Sequence, residues 1–261
     1  MDVTALLAAT AAWSLGAMGL LWLLSLRLRD ASIVDVWWGP GFAAIAALVY
    51  GLTGGDHPRR ALLLGMASLW GLRLGLYLAW RNAGRGEDRR YVAMRRHWGA
   101  RFPLVSLATV FGLQGALMWI VSLPLQLGQL DPGPPALGGL DVLGMALFAV
   151  GFTFEAVGDL QLARFRADPA NAGRVMDRGL WRYTRHPNYF GDCLVWWGIF
   201  AVALATPLGP WSAIGPALMT FLLLKVSGVA LLERSIARRR PEYEAYRRRT
   251  SAFFPRPPRS V

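Results

Sequence analysis

Carboxylate and amide side chains recur at a spacing of four residues in two apolar segments of the chain. Glu155 and Asp159 form the first pair, and Asn188 and Asp192 form the second. Residues four apart lie on one face of a helix, so each pair predicts a polar helix face. Ionisable groups in apolar, membrane-spanning segments are costly and are the first candidates for binding or catalysis. Simple pairing between helices would also account for any one of them.

The connection between these two segments is rich in arginine, with Arg164, Arg166, Arg174 and Arg178. Arginine forks bind phosphate groups, whereas carboxylates and amides bind hydroxyl and amide groups. Because a nucleotide carries both kinds of group, the combination predicts a nucleotide pocket at the ends of the two segments. The same arginines would also be expected if they only fixed the orientation of the chain in a membrane.

The run YTRHPNYFGD, at 183–192, carries the most local information. Pro187 favours an extended residue before it and is tolerated in a first helical turn. It therefore predicts a helix that starts near Asn188, where exposed backbone N–H groups suit an anion. His186 is either part of this pocket or a residue of the turn before the helix. The chain has no GxGxxG loop, so a Rossmann domain is not predicted.

Seven apolar segments must position these residues. Of the 261 residues, 54% are hydrophobic and 17% are charged, which is too apolar for a soluble domain of this size. A helix that spans a bilayer needs about 20 mostly apolar residues. We predict an all-α, polytopic integral membrane protein with a single seven-helix domain over 1–261. Its helices are expected at about 5–26, 32–52, 61–80, 104–127, 142–162, 189–206 and 213–232, followed by a basic tail at 233–261.

Basic residues alternate between the connections of these helices. Arginines are concentrated between helices three and four, between helices five and six, and in the tail, whereas the other connections are nearly neutral. The positive-inside rule then predicts an N-terminus outside and a cytoplasmic C-terminus. Arg59 and Arg60 lie on the opposite side and are exceptions to this rule. The net charge of +12 is explained by this placement, so no nucleic acid partner is expected.

Cysteine and histidine are scarce. Cys193 is the only cysteine, and the three histidines are far apart in the sequence. We therefore expect neither an intramolecular disulfide nor a metal site.

Several motifs together resemble a known family. They are GLWRY at 179–183, RHPNYFGD at 185–192, the pattern Glu155…Asp159…Arg166, and the tail EYEAYRRRTSAFFPRPP at 242–258. This combination resembles the membrane steroid 5α-reductase family, in its bacterial, DUF1295-type branch. The resemblance is strong over the C-terminal half. Over helices one to four it rests on DVWWGPG at 35–41 and on two residues of helix three.

The resemblance implies a seven-helix enzyme that uses NADPH to reduce the C4–C5 double bond of 3-oxo-Δ4 steroids. We expect a monomer in the inner membrane of a bacterium, with its cofactor side in the cytoplasm and a steroid or another apolar enone as substrate. The residues that we expect to hold the dinucleotide are Arg73, Tyr77, Glu155, Asp159, Arg166, Arg174, Tyr183, His186, Asn188 and Asp192. The resemblance implies all of them except His186, which its position before Pro187 suggests. The family has asparagine at the position of Glu155 and glutamate at that of Asp192. Its Gln-Glu pair on helix two is Val34 and Asp35 here, and its tyrosine proton donor falls at Trp70.

Reduction of an enone needs a donor at the carbonyl oxygen, because negative charge develops there when hydride reaches the β-carbon. Asp35 is the first candidate, since an apolar pocket favours the protonated form of a carboxyl group, which can donate a hydrogen bond. The indole N–H of Trp70 is the second. A role for Trp70 in packing or in an aromatic belt is the alternative.

Two other function classes remain open. Membrane methyltransferases of the isoprenylcysteine or phospholipid type, which use S-adenosylmethionine, have a similar RHP run and a similar tail, through Glu233 and Tyr246 here. Their usual pair of adjacent glutamates is reduced to Glu233 alone. A transporter or scaffold would use the intramembrane charges for a transport path or for structural pairing.

Overall fold

The computed structural model describes residues 1–54, 56–226 and 242–259. Within these ranges the regular structure is helical and no β-strand forms, although one isolated parallel bridge joins Thr184 to Ser251. The all-α prediction is confirmed. The α-helices are α1 Val3–Leu28, α2 Ile33–Thr53, α3 Pro58–Asn82, α4 Arg89–Trp98, α5 Phe102–Ser106, α6 Leu113–Val121, α7 Leu123–Leu130, α8 Gly139–Ala167, α9 Pro187–Ala203, α10 Ile214–Phe221 and the tail helix Glu242–Arg249.

Six helical segments of the described chain are long and apolar enough to cross a membrane. They are Val3–Leu28, Ile33–Thr53, Pro58–Asn82, Arg89–Val121, Gly139–Ala167 and Gly209–Val226. The sixth predicted span is α9, which has 17 residues and is not among these six. The seventh predicted span extends to 232, and its residues 227–232, like the start of the predicted tail, lie outside the described part of the chain. The orientation of the chain stays a prediction.

The fourth predicted span, 104–127, differs most from the structure. Helical structure already begins at Arg89, inside the expected basic loop, because the Asp88 side chain accepts a hydrogen bond from the backbone N–H of Arg90 and caps α4. The chain continues through a 3₁₀ turn and a π-helical segment, Leu107–Gly112, to the end of α6. Ser122 interrupts the helix, and Pro124 lies in the first turn of α7.

The chain divides into two compact units. Unit 1 contains Met1–Asp141 and Ile199–Gly215, and unit 2 contains Val142–Gly198 and Pro216–Val261. The single domain over 1–261 stays a prediction.

In unit 1, α2 and α3 meet backbone to backbone. A Cβ atom added at Gly39 would overlap the carbonyl oxygen of Gly71, and one added at Gly71 would overlap that of Gly39. Small residues allow such an approach between membrane helices. Asp35 and Trp70, the two predicted catalytic residues, lie on these two neighbouring helices.

We expect Gly71→Ala to destabilise the protein by about 1–3 kcal/mol, because the new methyl group must push α2 and α3 apart. Gly65→Ala is the matched control in the same helix, since a Cβ atom there would meet no heavy atom within 4 Å. Thermal melting of both variants in one detergent measures the difference. Equal melting temperatures would contradict the close approach of the two helices.

Arg59 and Arg60, the two exceptions to the charge rule, have local structural partners. Arg59 is 1% exposed and forms a two-pronged ion pair with the fully buried Asp141, with N–O distances of 2.8 Å for both contacts. It also donates to the carbonyl oxygens of Pro134 and Ala136, and Arg60 donates to that of Gln129. These arginines fasten the connection between α7 and α8, which explains why they depart from the charge rule.

Arg59→Met is expected to cost roughly 3–5 kcal/mol of stability, because it leaves the buried Asp141 carboxylate without its arginine. Arg85→Met removes an exposed arginine and serves as the control. The double variant Arg59→Met/Asp141→Leu should recover part of the loss. Melting curves in detergent provide the measurement, and a loss no larger than that of Arg85→Met would refute the structural role.

Candidate functional site

A close contact between α8 and α9 builds the candidate site in unit 2. A Cβ atom at Gly191 would lie 2.5 Å from the backbone nitrogen of Glu155 and from the oxygen of Gly151. One turn closer to the start of α9, the Pro187 ring lies 3.2 Å from a Cβ atom built at Gly158. The helices can approach this closely because glycine has no side chain. The seam places the acidic face of α8 against the first turns of α9.

The two predicted polar faces meet at this seam. The side-chain amide of Asn188 donates to a carboxylate oxygen of Asp159 at 3.2 Å. Glu155 and Asp159 are 3% and 6% exposed, so both carboxyl groups are buried. Asp192 follows Asn188 by one helical turn and is half-buried. The structure therefore brings together the residues that the four-residue spacing selected, while their binding roles stay predictions.

The helix start predicted from Pro187 is confirmed, since α9 begins at that residue. His186 is 3% exposed, and its ring stacks on Tyr189 with centroids 5.4 Å apart and planes within 7°. Tyr183 is 43% exposed. Arg166 and Arg174 are also exposed, in the last turn of α8 and in the loop that follows it.

The loop before α9 is anchored on α8. The indole N–H of Trp181 donates to the carbonyl oxygen of Gly158 at 3.0 Å, and the backbone N–H of Leu180 donates to the side chain of Gln161 at 3.0 Å. Gly179 has a φ of 57°, in the left-handed region, where its missing side chain leaves room for Gln161. These contacts fix the approach of the chain to Asn188.

The C-terminal segment packs on the same loop, which the sequence analysis did not foresee. The Thr184 hydroxyl donates to the carbonyl oxygen of Phe253 at 2.8 Å, and the backbone N–H of Arg185 donates to that of Ser251 at 2.9 Å. The guanidinium of Arg185 donates to the carbonyl oxygen of Arg247, at the end of the tail helix, where a cation is favourable. The tail is therefore a structural part of the site as well as a carrier of charge.

Tyr246 completes this contact, because its hydroxyl donates to the carbonyl oxygen of Trp181. Burial raises the pKa of the Tyr246 hydroxyl above its ordinary value, which keeps it a neutral donor. Of the four aromatic residues of the tail at 242–258, Tyr243, Tyr246 and Phe253 are buried and Phe254 is exposed. Those aromatic residues are the sequence signal that could have predicted its docking.

In unit 1, Asp35 accepts two hydrogen bonds. Arg90 donates to one carboxylate oxygen at 2.6 Å, and the Tyr91 hydroxyl donates to the other at 2.8 Å. The Tyr91 hydroxyl is a second O–H group beside Asp35, and the protonated form of Asp35 stays a prediction. Tyr91 is 5% exposed, and it was missed because it lies in α4, where a loop was expected.

A second acid ties the start of α2 to α4. Glu87 accepts hydrogen bonds from the backbone N–H of Ala31 at 2.8 Å and from the Arg95 guanidinium at 2.8 Å. Burial raises the pKa of the Glu87 carboxyl, but the bonds from Arg95 and Ala31 outweigh that effect and hold the pKa below its ordinary value. The backbone N–H of Asp88 also donates to Ser32 at 3.0 Å. These contacts join the residues just before α2, which carries Asp35, to α4, which carries Tyr91, and to the residue that caps it.

The remaining predicted residues of unit 1 lie on α3. Trp70 is fully buried, and its ring centroid lies 5.7 Å from that of Phe42, which fits the packing role. Arg73 and Tyr77 are half-buried, and the Arg81 guanidinium lies 5.8 Å from the centre of the Tyr77 ring. The assignment of Trp70 to catalysis and of Arg73 and Tyr77 to the cofactor stays a prediction. Among the residues that the structure describes, no cluster of three or more His, Cys, Asp or Glu side chains could hold a metal ion.

Comparisons with known proteins place the chain in a family of unknown function. Residues 21–250 match the family described as "Protein of unknown function (DUF1295)". An uncharacterised protein of the yeast Schizosaccharomyces pombe is 27% identical over 270 residues, covering 90% of this chain and 76% of the yeast protein. No solved structure matches the chain. Because the family match covers most of its length, the chain belongs to the DUF1295 family.

Proposed function

We propose that this protein is an NADPH-dependent membrane reductase that acts on an apolar enone of the 3-oxo-Δ4 steroid class. The observation that carries the proposal is the Asn188–Asp159 hydrogen bond at the α8–α9 seam, beside the buried Glu155. Carboxylate and amide groups fixed in this way suit ribose hydroxyls and a carboxamide.

The chemistry of the donor set fits a phosphate-rich dinucleotide. Arg166 and Arg174 are exposed within unit 2 and can form two-pronged bonds to phosphate oxygens. The seam residues would hold the sugars, and Asp192 would add an acceptor one turn along α9. The resemblance to the steroid 5α-reductases, residue by residue at Asp159, Arg166, Arg174 and Asn188, supports the same assignment.

NADPH, when bound, supplies the hydride. The chain must then stabilise charge on the carbonyl oxygen and deliver a proton. We assign the proton to the Tyr91 hydroxyl, which donates to Asp35 at 2.8 Å. Its single hydrogen leaves Asp35 when the hydroxyl turns to the substrate and delivers the proton. Arg90 donates to the other carboxyl oxygen of Asp35 at 2.6 Å and holds this side chain in place.

Ligand binding by the purified protein tests this proposal against its alternatives. We expect titration with NADPH to give saturable binding and titration with S-adenosylmethionine to give none. The reverse result would favour a methyltransferase. Of the two tail residues that resemble that class, Glu233 lies outside the described residues, and the Tyr246 hydroxyl donates a hydrogen bond to Trp181. Binding of neither compound would favour a transporter or scaffold.

A further inference from the structure

A pocket of about 420 Å³ lies in unit 2 between the loop before α9 and the C-terminal segment. Its charged lining consists of Arg178 and Arg182 from the loop, Arg249 from the tail helix, and Asp177. We call it the tail pocket. None of these four residues takes part in the Asn188–Asp159 contact, and only Arg178 is among the arginines that the sequence analysis assigned to a nucleotide pocket.

The charges of the tail pocket do not cancel. Arg249 and Asp177 form an ion pair with each other. Arg178 and Arg182 are exposed, and no carboxylate in the described part of the chain pairs with either. The pocket therefore retains two positive charges, and a phosphate monoester carries about 1.5 to 2 negative charges at neutral pH.

Buried contacts fix the backbone that carries these arginines. Next to Arg182, the carbonyl oxygen of Trp181 accepts a hydrogen bond from the Tyr246 hydroxyl. The indole N–H of Trp181 donates a hydrogen bond to the carbonyl oxygen of Gly158. On the opposite wall, Thr250 is 4% exposed, and its carbonyl oxygen accepts a bond from Arg185. The walls are thus held in place before any ligand arrives, which lowers the entropy that binding must overcome.

From this geometry we infer that the tail pocket is a binding site for a phosphate monoester. Two sources fit: the ribose phosphate that distinguishes NADPH from NADH, or the headgroup of an anionic lipid. Only the nucleotide source rests on the proposed reductase function, and it would make the tail pocket the element that selects NADPH over NADH.

The test uses the double variant Arg178→Gln/Arg182→Gln in the full chain. Arg248→Gln is the matched control, because Arg248 is an exposed tail-helix arginine that does not line the pocket. The probes are NADPH, NADH, inorganic phosphate, and nanodiscs with or without phosphatidic acid. Melting curves without ligand verify that the variants fold.

A nucleotide phosphate in the pocket predicts that the double variant weakens NADPH binding by roughly tenfold or more per arginine while NADH binding is unchanged. A lipid headgroup instead predicts an equal loss of phosphatidic acid binding, with both nucleotides unaffected. Equal affinities of the wild type and the double variant for NADPH, inorganic phosphate and phosphatidic acid would overturn the inference. If the wild type binds no NADPH, the reductase proposal fails. The inorganic phosphate and phosphatidic acid probes then still test whether the tail pocket binds a phosphate monoester.

Discussion

Tyr91→Phe is expected to slow NADPH-dependent enone reduction by about 10²- to 10⁴-fold, the range found when a positioned acid or base is removed. The substitution deletes only the hydroxyl that donates to Asp35, so the aromatic ring can keep its place. NADPH affinity should not change, because Tyr91 lies outside the predicted cofactor set. Single-turnover reduction, measured beside NADPH titration, separates the two effects.

Asp35→Ala should give a similar loss of rate with intact NADPH binding, since Tyr91 then lacks the carboxylate that orients it. Tyr50→Phe, in α2, is a control that removes a tyrosine hydroxyl elsewhere in unit 1. If Asp35→Ala abolishes reduction and Tyr91→Phe leaves it intact, the proton comes from Asp35, as the sequence analysis first suggested. Normal rates in both variants would remove the pair from the mechanism.

Asn188→Ala is expected to weaken NADPH binding by roughly 10- to 100-fold. It deletes the amide at the seam and leaves the buried Asp159 carboxylate without that donor, and a hydrogen bond to a charged group is worth about 1.5–3 kcal/mol. Equilibrium titration of the purified variant with NADPH measures the change.

The matched control for Asn188→Ala is Thr153→Ala, because Thr153 is an exposed residue of α8 that bonds to its own helix at Ala149. Its NADPH affinity should equal that of the wild type. Equal NADPH affinities of Asn188→Ala, Thr153→Ala and the wild type would show that the Asn188–Asp159 contact is structural and does not bind the cofactor.

Much of the helical framework and the polar faces of α8 and α9 follow from local rules. Long apolar runs predict the ends of α1, α2, α3 and α8 to within five residues. The four-residue spacing predicts the polar faces of α8 and α9, and Pro187 predicts where α9 begins. These features depend on neighbours in the sequence, so the sequence by itself suffices.

The remainder depends on contacts between distant residues. Asp35 and Tyr91 are 56 positions apart, and Arg59 and Asp141 are 82 apart. The many charges around Arg90 were interpreted as a loop, although Asp88 caps a helix there. The docking of Tyr246 on Trp181 likewise joins two segments that were interpreted only through their charge.

Oxidation of NADPH by detergent-purified protein tests the central claim most directly, with progesterone-like and non-steroid enones offered in parallel. We predict that absorbance of NADPH falls only when an enone is present, and that reduced product forms in equal amount. The rate should collapse in Tyr91→Phe and persist in Tyr50→Phe. No enone-dependent oxidation by protein that is folded and saturated with NADPH would contradict the assignment as an enone reductase.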